Sequence, residues 1–127
     1  MAVVPQASAI TIKDSIMIFA ADTDDRSLHV FPDAFTAASY CEGCAVEATM
    51  WLFWDEQGRS LAPEFDIPNK RGLFTTKNGV YHLVPVIGDQ YVSLVEVLKD
   101  VRQVIGEFTS VKAVQEYLSR LGPVSPA

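Results

Sequence analysis

The sequence predicts an α+β domain: a mostly antiparallel sheet of about six strands with three helices, two of them C-terminal, packed on one face. Three observations predict it. Short apolar runs bounded by turn residues fill the first two thirds of the chain, as strands joined by tight connections do. Asn78-Gly79, the favoured two-residue hairpin dipeptide, lies among them. The last third changes to apolar residues at helical spacing.

In chain order, residues 1–9 read as a flexible arm. Ile16 to Ala21 and Ser27 to Phe31 flank the polar Asp22-Thr23-Asp24-Asp25 and read as a β-hairpin. Ala34 to Tyr40 reads as a helix, with Asp33 as its N-cap and Gly43 as its stop. Val46 to Trp54 is apolar on both faces, as a central strand is. Residues three apart on a strand point to opposite sides, so Trp51 and Trp54 are expected on different faces. Asp55-Glu56-Gln57-Gly58 turns the chain into a strand from Ser60 to Ile67, where Pro63 implies an edge or a bulge.

Asn78-Gly79 is expected to join Gly72–Lys77 to Val80–Val84, pairing Thr76 with Tyr81 and Phe74 with Leu83. Tyr91, Leu94, Val95, Leu98, Val101 and Ile105 trace one long helix ended by Gly106. Val111, Val114, Leu118 and Leu121 trace the last one, capped by Thr109 or Ser110. Phe31 and Tyr40 are nine residues apart around one predicted cap, as are Phe108 and Tyr117 around another; this is a convergent way to start a packed helix more readily than a trace of duplication. Gly122 to Ala127, with two prolines, reads as a tail.

Composition bounds the function. The chain has 127 residues, enough for one domain that needs neither disulfide nor metal to stand. The N-terminal residues lack the basic start of a signal peptide, and no apolar run is long enough to span a bilayer, so the expected location is cytoplasmic. A net charge of −6 argues against nucleic acid and anionic membranes as partners. The acids are unevenly spread. From Asp22 to Asp66 ten acids face only Arg26 and Arg59, a local charge of −8, whereas the rest of the chain carries +2.

No set of residues amounts to a catalytic site. Cys41-Glu42-Gly43-Cys44 has redox and zinc spacing. It falls at a predicted helix C-terminus beside Glu42, where dipole and charge both oppose a thiolate. His29 and His82 lack the spacing that would complete a zinc set, so neither metal nor cofactor is expected. Either histidine is a candidate general base beside Glu47 or Glu64, although a lone strand histidine is usually half-buried and hydrogen-bonded. The run Ile18 to Asp24 resembles the strand and Asp-x-Asp of haloacid-dehalogenase-type phosphatases, but the chain lacks room for that parallel core, and an Asp-rich hairpin turn accounts for it.

The stretch Phe31-Pro32-Asp33 through Tyr40-Cys41-Glu42-Gly43 to Trp51-Leu52-Phe53-Trp54-Asp55-Glu56-Gln57-Gly58-Arg59 resembles a block of small bacterial immunity-type proteins of polymorphic toxin systems. The resemblance carries no catalytic motif and implies a protein that neutralises a partner by binding it. The leading expectation is therefore a non-enzymatic, acidic protein-binding domain, an immunity- or antitoxin-like inhibitor of a basic partner such as a nuclease toxin. Its expected contact residues are Asp24, Asp25, Glu42, Glu47, Asp55 and Glu56, with Trp54 as an apolar anchor. The alternative is a small-molecule-binding domain or small enzyme with a pocket between sheet and helices, using His82, Tyr81 and Glu47. A homodimer paired through a sheet edge or the aromatic face is the third reading.

Overall fold

The computed structural model describes residues 16–71 and 76–121, so the predicted arm and tail lie outside it. A six-stranded sheet carries the fold, in the spatial order β7-β4-β3-β1-β2-β8. Its strands are β1 (Ile18–Asp22), β2 (Ser27–Phe31), β3 (Trp51–Trp54), β4 (Ser60–Ile67), β7 (Val80–Pro85) and β8 (Gln103–Ile105). All pairs are antiparallel except β2 with β8. Two short strands, β5 (Lys70–Arg71) and β6 (Thr76–Lys77), pair separately. The helices are α1 (Ala34–Tyr40), α2 (Gly43–Glu47), α3 (Leu94–Val97) and α4 (Val111–Leu121). This is the α+β, mostly antiparallel six-stranded architecture that the sequence predicts.

The two faces of the sheet bury separate cores. Ile18, Ala20, Phe53, Leu61, Tyr81 and Leu83 face one way and meet Ala37, Cys41 and Val46 of the α1–α2 segment. Phe19, Ala21, Leu28, Val30 and Trp54 face the other way and meet Leu94 and Leu98 on one side, Val114 and Leu118 on the other. The two C-terminal helices do share a face, but α1 and α2 cover the opposite one, so both faces are clad. The central strands therefore have apolar residues at odd and even positions alike. Trp51 and Trp54 lie on opposite faces, as period-two geometry requires.

Several local signals act as expected. The Asp33 carboxylate accepts the Thr36 amide at 2.7 Å and caps α1. Ser110 Oγ accepts the Ala113 amide at 3.1 Å and caps α4. The two aromatic pairs spaced by nine residues close ring to ring, at 5.5 Å for Phe31–Tyr40 and 5.3 Å for Phe108–Tyr117. Pro63 is not on an edge strand. It lies past the end of the four-residue β3, whose pairing with β4 stops at Leu61, so its missing N–H removes no ladder bond there.

Four expectations are corrected. Gly43 does not stop α1, which ends at Tyr40 with Cys41 as its C-cap; it begins α2. Val46 and Glu47 are consequently helical, and the central strand is only Trp51–Trp54. Asn78-Gly79 is no hairpin turn, since β6 pairs with β5 and β7 with β4. Instead the Asn78 carboxamide oxygen accepts the Cys44 amide at 2.9 Å, and the Gly79 amide donates to Asn69 Oδ1 at 2.7 Å. The predicted partnership of Phe74 with Leu83 lies outside the described residues. Finally, the helix expected over residues 91–105 breaks after Asp100, and Gln103–Ile105 pairs in parallel with Ser27–His29. The β-branched Val104 and Ile105 fit a strand, and β2 would otherwise present an unpaired edge.

Candidate functional site: an acidic and aromatic end of the sheet

Strand directions decide which acids meet. β1 ends at Asp22 where β3 begins at Trp51, so the β1–β2 turn and the α2–β3 loop share one end of the sheet. The two segments are bonded there: the Thr23 amide donates to Met50 O at 2.9 Å, and its hydroxyl reaches the same oxygen at 3.2 Å. Asp24 and Asp25 form the exposed turn, and their amides both donate to Asp22 Oδ1 at 3.0 Å. Glu42 is exposed beside α2, and Glu47, at its other end, accepts Asn69 Nδ2 at 2.8 Å. These four predicted contact residues lie toward the same end. Among the described residues, no ion pair involves Asp24, Asp25, Glu42 or Glu47.

The other three predicted contacts do not join them. Trp54 is fully buried and its indole N–H donates to Val92 O at 2.8 Å, so it offers a partner no surface. Asp55 is buried in its own turn, accepting the Gln57 and Arg59 amides and the Arg59 guanidinium, each at 2.9 Å. It organises the loop after β3, and buried there it presents almost no surface to a partner. Glu56 is exposed at the far end of the sheet, where its backbone carbonyl accepts the Tyr117 hydroxyl. The sequence could not separate these groups, because a charge count is blind to strand direction.

Sequence reading missed the aromatic residues beside the acidic turn. His29 lies at the centre of a cluster, with ring centroids 5.1 Å from Trp51, 5.3 Å from Tyr40 and 6.0 Å from Phe31. Tyr40 is 57 % exposed, Met50 40 %, and Trp51 is half-buried, so the cluster opens to solvent along the segment that Thr23 bonds to the acidic turn. The signal was present in β1–β3 pairing, which sets Trp51 opposite Asp22, but it needed the register to be read. The backbone here is strained. Arg26 (φ 59°) and Thr49 (φ 58°) are the non-glycine residues with left-handed backbone among those described, and both belong to these two bonded segments.

His29 is buried, and its Nε2 lies 3.2 Å from Ser27 Oγ. Burial pushes the imidazole pKa below the ordinary value, with partial opposition from Asp22 and then Asp25. A proton therefore binds the unfolded chain more readily than the folded one. Stability should be complete above the unfolded histidine pKa of ~6.5 and should fall as pH drops through it, levelling below the folded-state pKa. Urea unfolding of wild type and His29→Phe across that window checks this. Identical pH slopes would remove His29 as the cause.

The remaining chemistry candidates do not assemble. Cys41 and Cys44 are free thiols, and burial, followed by the Asp22 charge, pushes Cys41 up to about 12, far from a reactive thiolate. Tyr81 donates its hydroxyl to Cys41 O at 2.7 Å inside one core. His82, the next residue on β7, points to the opposite face, with Nδ1 3.0 Å from Asp66 and Nε2 3.2 Å from Glu64. Both ring nitrogens are engaged, and Glu47 lies elsewhere beside Asn69, so His82, Tyr81 and Glu47 form no common pocket. Among the described residues, no three of His, Cys, Asp and Glu are grouped to hold a metal ion. No helix among them is long and apolar enough to cross a membrane.

No family model, curated protein or solved structure is detectably similar to this chain.

Proposed function

We propose that this domain is a non-enzymatic binding module that docks a basic protein partner on the acidic, aromatic end of its sheet. The mode of action is that of an immunity- or antitoxin-type inhibitor, in which carboxylates occupy a groove built for phosphates, as in a nuclease. One observation carries the reading: Asp24 and Asp25, without cationic partners among the described residues, sit on the turn that Thr23 bonds to Met50, and from there the exposed Met50 leads into the half-buried Trp51, which packs on the exposed Tyr40. Carboxylates accelerate encounter with a cationic surface, while aromatic side chains supply the desolvated contact that holds it. Aromatic faces beside carboxylates also favour guanidinium groups by stacking.

Octa-arginine peptide is a direct probe, with octa-glutamate as control. Trp51 is the half-exposed tryptophan and Trp54 the buried one, so a fluorescence change on titration should vanish in Trp51→Phe. The Asp24→Asn/Asp25→Asn double variant should bind roughly tenfold more weakly, and wild-type binding should weaken as salt rises from about 0.05 M to about 0.5 M. Equal affinity for the double variant and wild type would overturn the proposal.

A further inference from the structure

We infer that a recess on the opposite side of the acidic turn is a socket for one lysine or arginine side chain of that partner, and that Arg26 fills its mouth until the partner arrives. This rests on the docking reading above. The recess, of about 350 Å³, lies between β1, β3 and the α3 segment. That is the small end of the range for ligand sites, roughly 300–1,000 Å³. Leu52, Val97 and Val101 make an apolar wall, and Asp22, Asp100 and Arg26 contribute its charges. Two carboxylates against one guanidinium leave the recess negative, and Asp24 and Asp25 continue that charge outward. An apolar wall under a negative rim fits an aliphatic stem that ends in a cation.

Arg26 behaves as a stand-in for such a group. Its guanidinium sits 3.8 Å from the Asp100 carboxylate, with both side chains substantially in solvent, and its Nε donates to Asp100 O at 3.2 Å. An exposed pair at that distance is easily exchanged. The backbone of Arg26 is held independently: its amide donates to Asp22 O at 2.8 Å and its carbonyl accepts the Arg102 amide at 2.7 Å. Only the side chain has to rotate away. The left-handed φ of 59° suits glycine or asparagine better than arginine, so the turn itself does not call for an arginine there. A side chain kept at a strained position points to a role beyond the turn.

The test uses n-butylguanidinium as probe and pentanoate as its anionic counterpart, read by methyl NMR shifts of Leu52, Val97 and Val101. The cation should shift these methyls and pentanoate should not. Arg26→Gly, which relieves strain and should melt no lower than wild type, should bind the cation roughly tenfold more tightly. Asp100→Asn should bind it more weakly. If pentanoate binds and Arg26→Gly abolishes that binding, the recess is an anion site and the inference is wrong. It is equally wrong if the cation moves no methyl in either protein. In both cases octa-arginine binding that still depends on Asp24 and Asp25 would leave the docking surface standing; loss of that dependence too would remove both.

Discussion

Trp54→Ala should lower unfolding stability by about 3–5 kcal/mol, a large part of what a domain of this size possesses. Trp54 is 0 % exposed and packs with Phe19, Leu94, Leu98, Val114 and Leu118 between the sheet and both C-terminal helices. Truncation opens a cavity among them and leaves the Val92 carbonyl without the indole N–H that now reaches it at 2.8 Å. Urea denaturation monitored by circular dichroism measures the change. The contrast with Trp51 is diagnostic. Trp51 borders the open aromatic cluster, so Trp51→Phe should keep most of the stability and lose the peptide-binding signal instead. A loss below about 1 kcal/mol for Trp54→Ala would mean that this tryptophan is not a core residue, and would return it to the list of surface anchors.

Gly79→Ala should be the most damaging of the small substitutions, costing at least the 1–3 kcal/mol typical of overpacking. A β-carbon there would meet Ile67 O at 1.9 Å and Pro68 C at 2.6 Å, both backbone atoms that cannot swing aside. The close approach is held by Asn69, whose carboxamide accepts the Gly79 amide at 2.7 Å while donating to Gly43 O at 3.0 Å and to Glu47. The damage should therefore reach α2 and the acidic end, not only β7. Gly88→Ala is the control. Gly88 has φ 82° but nothing within 4 Å of an added β-carbon, so it bears only the left-handed backbone penalty, about 1 kcal/mol. Thermal melts of the two variants side by side give the answer; equal losses would show that packing at Gly79 is slack.

Asn78-Gly79 shows where local reading stops. The dipeptide carries the strongest hairpin signal in the chain, yet it serves a different purpose, because Asn69 and Cys44 compete for its polar groups and Ile67 presses on its backbone. Hairpin propensity is a preference of about a turn's worth of energy, and a network drawn from three other segments exceeds it. The C-terminal stripe shows the same limit. Leu94 and Leu98 do sit on a helical turn against the core, but Val104 and Ile105 answer to the open edge of β2 more than seventy residues earlier.

By itself the sequence determined the fold class, the β1–β2 hairpin, the cap Asp33, the choice of Thr109 or Ser110 for the last helix, and the placement of Trp51 and Trp54 on opposite faces. Each depends on neighbours within about four residues or on the strict two-residue period of a strand, so the information is local. Tertiary structure alone decided that both sheet faces are covered, that Trp54 and Asp55 are interior groups, and that the Asp24–Asp25 turn shares one end of the sheet with Trp51 while Glu56 lies at the other end. Those outcomes depend on strand direction and register between segments tens of residues apart. Side-chain charge and hydropathy are the same in either arrangement, so no count along the chain can choose between them.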